Sequence, residues 1–367
     1  MGLRIAFIGT RGVPARYGGF ETCAEEIGKR LVLRGHEVRV YCRSRYYPER
    51  RRSHEGMRLI YRPAFRSRAL ETLSHSTLSL LHAAFRKTDV CLVFNTANSP
   101  LLWIARLAGK RVVVHTDGLE WERDKWRGLG SRYFKWAARN ATRLRIPLIS
   151  DSLEIQAYYR RVFGRETHFI AYGAPLVESR DPLLLRNFGL APGGYFLQMA
   201  RFEPENNIHT TVKAFAQVRT DKKLVLVGGT AYTTAYVRKL TEDAAADPRV
   251  ILPGFIYEPG VVNELLTNAY AFIHGNEAGG TNPGLLQAMG AGCAILARDV
   301  VFNREVCGSD AAYFSDEAED LADKIRRALD RPDELSRMKE GVKRTARDRY
   351  DWDAVTEAYE RLLRSAL

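Results

Sequence analysis

The sequence predicts an α/β protein built from two successive doubly wound domains, each a parallel sheet covered by helices. Three observations carry this. Short apolar runs alternate with helical patterns from Leu3 to Ala171. A turn-rich segment, YGAPLVESRDPLLLRNFGLAP (Tyr172–Pro192), then breaks the alternation, which restarts at Tyr195. The length, 367 residues, exceeds one typical core and suits two domains of about 180 residues. The expected domains are residues 1–172 and 173–350. In such sheets the ligand-binding loops sit at the carboxyl ends of the strands, and two facing domains would enclose a cleft suited to a small ligand.

The first half opens with a buried-strand run, Leu3–Ile8 (LRIAFI), and a glycine-rich loop, GTRGVPARYGG (Gly9–Gly19). A helix from about Phe20 to Arg34 repeats apolar positions at Ile27, Leu31 and Leu33, stops at Gly35, and leads to the strand Glu37–Cys42. Further strands are expected at Arg58–Arg62, Asp89–Phe94, Arg111–His115, Leu148–Ser150 and His168–Ala171. Helices are expected near Ala69–Phe85, Ser131–Leu144 and Ser152–Phe163. In the second half, strands fall at Tyr195–Ala200, Lys223–Val227, Val250–Leu252 and Ala311–Phe314, with helices at Thr210–Gln217, Ala318–Ala328, Pro332–Arg347 and from Asp351 to about Ser365. Between them lies AFIHGNEAGGTNPGLLQAMGAGCAILA (Ala271–Ala297), a strand, a glycine-rich turn, a helix opened by Pro283 and a second strand. Proline suits the first helical position because its missing N–H has no intrahelical acceptor there. Small residues just before a helix let backbone N–H groups approach an anion, although an ordinary βαβ turn has the same outline.

Five scattered cysteines with no CxxC pair argue for a reducing cytoplasm and against a disulfide framework or a structural zinc site. No apolar run approaches the ~18 residues of a membrane span, and the N-terminus reads as a strand, not a signal peptide. The net charge of +13 is uneven: residues 1–172 carry 32 Lys and Arg against 15 Asp and Glu, whereas residues 173–367 carry 24 against 28. The basic half should attract phosphate-bearing partners such as anionic headgroups, polyprenyl diphosphates or nucleic acid. Nothing resembles a helix-turn-helix, an RNP motif or a zinc signature, so nucleic acid is not expected as a partner.

Several segments offer chemistry. GTRGVPARYGG lacks both G-x-G-x-x-G and the P-loop pattern, which argues against a dinucleotide-binding dehydrogenase or a P-loop NTPase. Its Arg16, Tyr17, Gly18 and Gly19, just before a helix, form either a lip over a phosphate or sugar or a plain βα connection. HTDGLEWERDKW (His115–Trp126) places His115, Asp117, Glu120 and Glu122 after a buried strand, where polar groups can bind sugar hydroxyls or move a proton; Trp121 and Trp126 could stack on a sugar. Arg201 follows another buried strand in ARFEPENN; its planar fork matches a diphosphate, unless Glu203 or Glu205 claims it. Asp351-Trp352-Asp353 is a D-x-D at a helix start, where Asp serves as cap and first-turn residue rather than as a metal ligand.

Taken together, GTRGVPARYGGFE, DGLEWERDKW, ARFEPENN and HGNEAGGTNPGLLQAM resemble the retaining glycosyltransferases of GT-B fold (group 1, family 4 type), over nearly the whole chain. Within them they look like the rhamnosyltransferases that build capsule or O-antigen repeat units. The resemblance implies two Rossmann-like domains facing across a cleft, with a C-terminal helix (351–367, beginning YDWDAVTEAYERLL from Tyr350) crossing back to the first. It implies transfer of a hexose, rhamnose from dTDP-rhamnose, to a lipid-linked glycan by a cytoplasmic, metal-independent enzyme docked on the anionic inner face of the membrane. A nucleotide-sugar epimerase of the same fold is the alternative.

Carried over residue by residue, the resemblance makes Arg201 the holder of the donor diphosphate, with Gly280, Thr281, Asn282 and Pro283 approaching it at the helix start. Gly18 and Gly19 would close over donor and acceptor, with Arg16, Tyr17 and Glu21 on the acceptor side and His115, Asp117 and Glu120 as catalytic groups. Gln287 stands where the family has the second of two glutamates, Gly279 stands in place of the first with Glu277 two residues earlier, and Asn206 replaces a lysine. An amide can still bond a ribose hydroxyl, and a deoxyribose donor has one hydroxyl fewer to satisfy. The family's retention is ascribed to front-face attack, in which the departing diphosphate takes the acceptor's proton and no carboxylate nucleophile is needed.

Overall fold

The computed structural model describes residues 2–15, 18–67, 70–119, 121, 128–230, 234–277 and 279–367. It divides into two compact units, Met1–Tyr172 with Trp352–Leu367, and Gly173–Asp351. The expected α/β architecture is present: each unit is a predominantly parallel sheet with helices between its strands.

In the first unit the strands are β1 (Arg4–Ile8), β2 (Glu37–Arg43), β3 (Ser53–His54), β4 (Met57–Arg62), β5 (Val90–Phe94), β6 (Arg111–His115), β7 (Leu148–Ser150) and β8 (His168–Phe169). They lie in the order β3-β4-β2-β1-β5-β6-β7-β8, all parallel except the β3–β4 hairpin. β5 (VCLVF) is buried along its whole length, the mark of a central strand covered on both faces. The helices are α1 (Gly19–Leu33), α2 (Glu71–Ala84), the short α3 (Trp103–Leu107), α4 (Leu129–Arg143) and α5 (Leu153–Phe163).

In the second unit β9 (Tyr195–Arg201), β10 (Lys223–Gly229), β11 (Val250–Gly254), β12 (Ala271–His274), β13 (Ile295–Arg298) and β14 (Ala312–Phe314) run in the order β11-β10-β9-β12-β13-β14, every neighbouring pair parallel. Phe196, Phe215, Leu226, Ile273 and Leu296 centre its core. The helices are α6 (Ile208–Ala216), α7 (Ala235–Ala245), α8 (Pro259–Thr267), α9 (Pro283–Gly290), α10 (Val301–Cys307), α11 (Ala318–Asp330) and α12 (Pro332–Arg349). Periodicity alone does not flag α7, α8 or α10. α7 buries only Leu240 and Ala244, too thin a stripe to read, and α10 is seven residues long.

The strand order reverses between β1 and β5 in the first sheet and between β9 and β12 in the second. At such a switch point neighbouring loops leave in opposite directions and open a crevice at the carboxyl ends of the strands. In the second unit that crevice lies between Arg201, which ends β9, and the loop that follows His274.

The last helix, α13 (Trp352–Ser365), packs on α1 of the first unit. Tyr359 is fully buried with its hydroxyl 3.6 Å from Cys23 Sγ. Asp353, in the first turn of α13, pairs with Arg30 and Arg34 at 3.4 and 3.7 Å. Glu360 accepts from Arg34 at 3.3 Å, from His36 Nε2 at 3.1 Å and from Arg364 at 3.0 Å. His36 Nδ1 accepts from the Leu3 amide at 3.0 Å, so Nε2 carries the donated proton. Burial resists ionisation of Glu360, but His36, Arg364 and Arg34 outweigh it and pull the carboxyl from 4.5 to about 2. A depressed carboxyl contributes stability above its ordinary pKa, so this contribution is fully present at neutral pH. We therefore expect Glu360→Gln to cost about 2 kcal/mol in urea unfolding, after discounting for partial solvent screening, with a deficit constant between pH 6 and 9. A deficit under ~0.5 kcal/mol would show that the helix is held by packing alone.

Candidate active site

At the second unit's switch point the two strand ends are stitched together by side-chain amides. Gln198 Nε2 donates to the Asn206 carbonyl (2.9 Å) and Asn206 Nδ2 to the Arg201 carbonyl (2.8 Å), folding the chain into a 3-10 turn over Pro204–Asn206. Asn207, left-handed at φ +51°, donates Nδ2 to the Gly275 carbonyl (3.0 Å) and to Glu277 Oε2 (3.1 Å). Gly275 is required by this approach, because a Cβ there would stand 2.4 Å from the Asn206 carbonyl oxygen. Asn206 is buried and its amide is engaged in holding the loop, which gives it a positioning part beside Arg201.

Arg201 itself is exposed, and among the described residues neither Glu203 nor Glu205 pairs with it. Its charge is open to a ligand. Across the switch point, Asn282 caps α9, its side-chain oxygen accepting from Gly284 (2.9 Å) and Leu285 (3.4 Å), with Pro283 at the first helical position. With those two amides capped, an anion here would meet the backbone of Gly279 to Asn282 and the helix dipole. Gly279 is left-handed (φ +121°) and Thr281 is buried. Gln287, half-buried, is one turn along α9 from Pro283. Glu277 lies 3.9 Å from the Arg298 guanidinium. His274 is buried, its Nε2 without a partner among the described residues, and burial alone lowers its pKa to about 4, so it is neutral at pH 7.

In the first unit, the ends of β5 and β6 carry two non-glycine residues in left-handed backbone, Asn95 (φ +76°) and Asp117 (φ +67°). Such residues concentrate at functional sites because the surroundings must hold them there. Asn95 Nδ2 donates to Asp117 Oδ2 (2.8 Å), and the Gly118 amide to Asp117 Oδ1 (2.9 Å). His115 is wholly buried between Phe94 and Tyr172, ring centroids 5.9 and 5.6 Å away and nearly parallel, with the Phe20 edge at 5.0 Å. Its Nδ1 accepts from the Asp117 amide (3.4 Å), which leaves the proton on Nε2, and Nε2 has no partner among the described residues. Burial lowers its pKa to about 3. At neutral pH His115 is therefore a neutral hydrogen-bond donor, a poor carrier of a second proton.

Glu21, on the first turn of α1, is buried and accepts the Arg11 amide at 2.7 Å, so it braces the preceding loop. Gly18 caps α1, and a Cβ on it would fall 2.9 Å from Glu21 Oε2; Gly19 begins the helix. Arg16, Tyr17, Glu120, Glu122 and Trp126 lie outside the described residues.

Residues 18–173 match the family model of the glycosyl transferase 4-like domain, and residues 191–345 that of glycosyl transferases group 1. The chain belongs to the group 1 glycosyltransferases of GT-B fold. No curated protein matches it in sequence. Among solved structures it is similar to sucrose-phosphate synthase from Thermosynechococcus elongatus (TM-score 0.83, 18% identity, 99% of this chain and 98% of that one). It is also similar to Anabaena HepE in complex with UDP and glucose (TM-score 0.81, 18%, 99% and 100%). The catalytic domain of Arabidopsis thaliana starch synthase IV bound to ADP and acarbose follows (TM-score 0.76, 14%, 100% and 99%). At these identities the likeness is one of fold.

In this glycosyltransferase the sequence-identified residues form two groups. Arg201, Asn206, Glu277 and the start of α9 gather at the second unit's switch point, and His115 and Asp117 cluster in the first unit with Asn95, which sequence reasoning missed. Gln198, Asn207 and Gly275 were also missed. Asn tolerates positive φ better than most residues, but that bias is too weak to flag a single Asn in a loop.

Proposed function

We propose that the chain transfers a hexose, rhamnose from dTDP-rhamnose, with retention of configuration, to a lipid-linked glycan in surface polysaccharide biosynthesis. The observation that carries this is the exposed Arg201 guanidinium, without a carboxylate partner among the described residues, beside the glycine-rich start of α9 at a switch point. Those groups suit the diphosphate of a nucleotide sugar. HepE and starch synthase IV, similar in fold, were solved with UDP and with ADP. As the bond from the sugar's anomeric carbon to the diphosphate oxygen breaks, negative charge grows on the leaving group, where Arg201 and the backbone of Gly280, Thr281 and Asn282 stabilise it. The acceptor hydroxyl bonds to the same face of that carbon, and its proton passes to the departing diphosphate. Gln287 and Glu277 bond donor hydroxyls. Gly18 and Gly19 serve donor and acceptor alike, and Arg16, Tyr17 and Glu21 serve the acceptor side. His115 acts as a neutral donor to a sugar oxygen, Asp117 and Glu120 share the catalytic part, and no metal takes part.

An exposed apolar face supports a lipid surface as partner. Leu78, Leu81 and Phe85 follow one another at helical spacing along α2 and just past its end, and Trp103 and Leu107 do so on the neighbouring α3. Phe85 and Leu107 are 87% and 80% exposed, and Arg86, Lys87 and Arg106 lie beside them. Basic residues around apolar ones suit an anionic headgroup region. Among the described residues no helix is long and apolar enough to cross a membrane.

The test is a panel of sugar nucleotides with lipid-linked acceptors. We expect nucleoside diphosphate release that requires acceptor, with dTDP-rhamnose the best donor. Release from no donor would end the glycosyltransferase reading for this chain, and turnover of donor without acceptor would favour an epimerase.

A further inference from the structure

Two asparagines stand at helix starts in the second unit's crevice, and they use their side chains differently. Asn282 caps its own helix, α9. Asn207 holds the same place before α6, where its carbonyl accepts from the Thr211 amide at 3.1 Å, but its side chain makes no bond to the helix. An asparagine at that position ordinarily satisfies an amide of the first turn and stabilises the helix by doing so. Asn207 is left-handed (φ +51°, ψ +32°), and its side chain leaves the helix for the loop after β12. Both amide hydrogens are used there, in the bonds to the Gly275 carbonyl (3.0 Å) and to Glu277 Oε2 (3.1 Å). Both partners are acceptors, which fixes the nitrogen, not the oxygen, on that side.

Glu277 is held from three sides. Its amide donates to the Glu205 carbonyl (3.2 Å), Oε2 takes the Asn207 amide, and Arg298, which ends β13, stands 3.9 Å from the same oxygen. Arg298 is shared: Nη2 lies 3.7 Å from Asp316 and Nη1 donates to the Phe314 carbonyl at 3.4 Å. Among the described residues Asn207 is therefore the one that hydrogen-bonds the carboxylate, and it is itself only 8% exposed. Oε1 accepts no hydrogen bond from the described residues, and the Glu277 side chain is 43% exposed. A carboxylate with one oxygen anchored and the other open is an acceptor of fixed direction, suited to a hydroxyl.

We infer that Asn207 is the positioning residue for Glu277: its side-chain amide fixes the carboxylate so that Oε1 accepts from a hydroxyl of the donor sugar. The inference rests on the proposed reading of Glu277 as a ligand of donor hydroxyls. Asn207 acts through Glu277 and not on the donor. A glutamate released from the amide would sample several rotamers, and binding would then have to order it; the preformed bond removes that cost. The effect falls on the sugar and not on the diphosphate, which belongs to Arg201 and the start of α9. Asn207 thereby governs how well the site tells a sugar nucleotide from a bare nucleoside diphosphate.

Calorimetry on the full chain, with UDP against UDP-glucose and dTDP against dTDP-rhamnose, separates the sugar from the diphosphate. Asn207→Gly removes the amide and suits the left-handed backbone. Asn207→Asp keeps the side-chain shape and sets a second carboxylate beside Glu277. Each is expected to weaken the sugar nucleotide about tenfold more than the nucleoside diphosphate, as is Glu277→Ala. In the Glu277→Ala background neither Asn207 substitution should add to that sugar-specific loss, because the two residues act as a unit. Equal weakening of UDP and UDP-glucose by both Asn207 variants overturns the proposal and leaves Asn207 a brace of the loop through Gly275. A sugar-specific loss that persists undiminished in Glu277→Ala overturns it as well. Glu277→Ala without a sugar-specific loss ends the reading of Glu277 and the inference with it. A wild-type chain that binds neither nucleoside diphosphate ends the donor-site reading on which both depend.

Discussion

Arg201→Ala weakens nucleoside diphosphate binding on the order of 10- to 100-fold while leaving the free protein's stability within about 0.5 kcal/mol. The two halves of this expectation come from the same geometry. Arg201 ends β9 with its guanidinium exposed and no carboxylate partner among the described residues, so truncation breaks nothing that holds the fold. What it removes is a planar fork that can make two charge-assisted bonds to a diphosphate, which at this exposed position are together worth the ~1.4–2.7 kcal/mol of a 10- to 100-fold change. Arg201→Lys keeps the charge and loses the fork, and should fall between the two. Calorimetry with UDP, ADP and dTDP reads the affinity, and urea unfolding without nucleotide reads the stability. Equal affinity in wild type and Arg201→Ala would remove the arginine from the donor site. A large loss of stability in the free protein would mean that it holds structure instead.

Parts of this site are legible in the sequence because local rules suffice. Pro283 after GGTN marks a helix start, and an arginine directly after YFLQMA must leave the sheet at a strand's carboxyl end. Which strand ends become neighbours is not a local property. The pairing of β9 with β12, which brings Arg201 beside the α9 loop, joins segments some seventy residues apart. Arg43 and Glu71 are separated by 28 residues and three elements, so a charge count shows a basic half but not the convergence of arginines on one carboxylate. His115 shows the reverse limit. Its place at a strand end is legible, and its neutrality is not, because that depends on the Phe94 and Tyr172 rings stacked on either side.

The same burial makes the protein sensitive to mild acid. His75 and His115 in the first unit have pKa values lowered to about 3, and His274 in the second to about 4, all chiefly through burial; the Arg43 charge adds to the effect on His75. Unfolding returns each to about 6.5. As pH falls below 6.5 the unfolded chain therefore takes up more protons on these groups than the folded one, close to three more near pH 5, so stability falls as pH falls. Each proton costs about 1.4 kcal/mol per pH unit once well below 6.5, and by pH 5 the three together remove roughly 6 kcal/mol. That is comparable with a domain's whole net stability of ~5–15 kcal/mol. Acid unfolding is thus expected near pH 5, well before Glu360 begins to protonate. The first unit carries two of the three histidines and should go first. It also holds all five tryptophans of the chain, so fluorescence follows it while circular dichroism follows both. Urea midpoints measured from pH 8 to 5 test this: flat midpoints over that range would show that the histidines are hydrated or already charged. His115→Gln should flatten the fluorescence-detected dependence by about one proton, half of what the first unit's two histidines supply. The same neutral His115 predicts that kcat shows no histidine inflection between pH 6 and 8, and that any fall below pH 6 tracks unfolding rather than loss of a catalytic base.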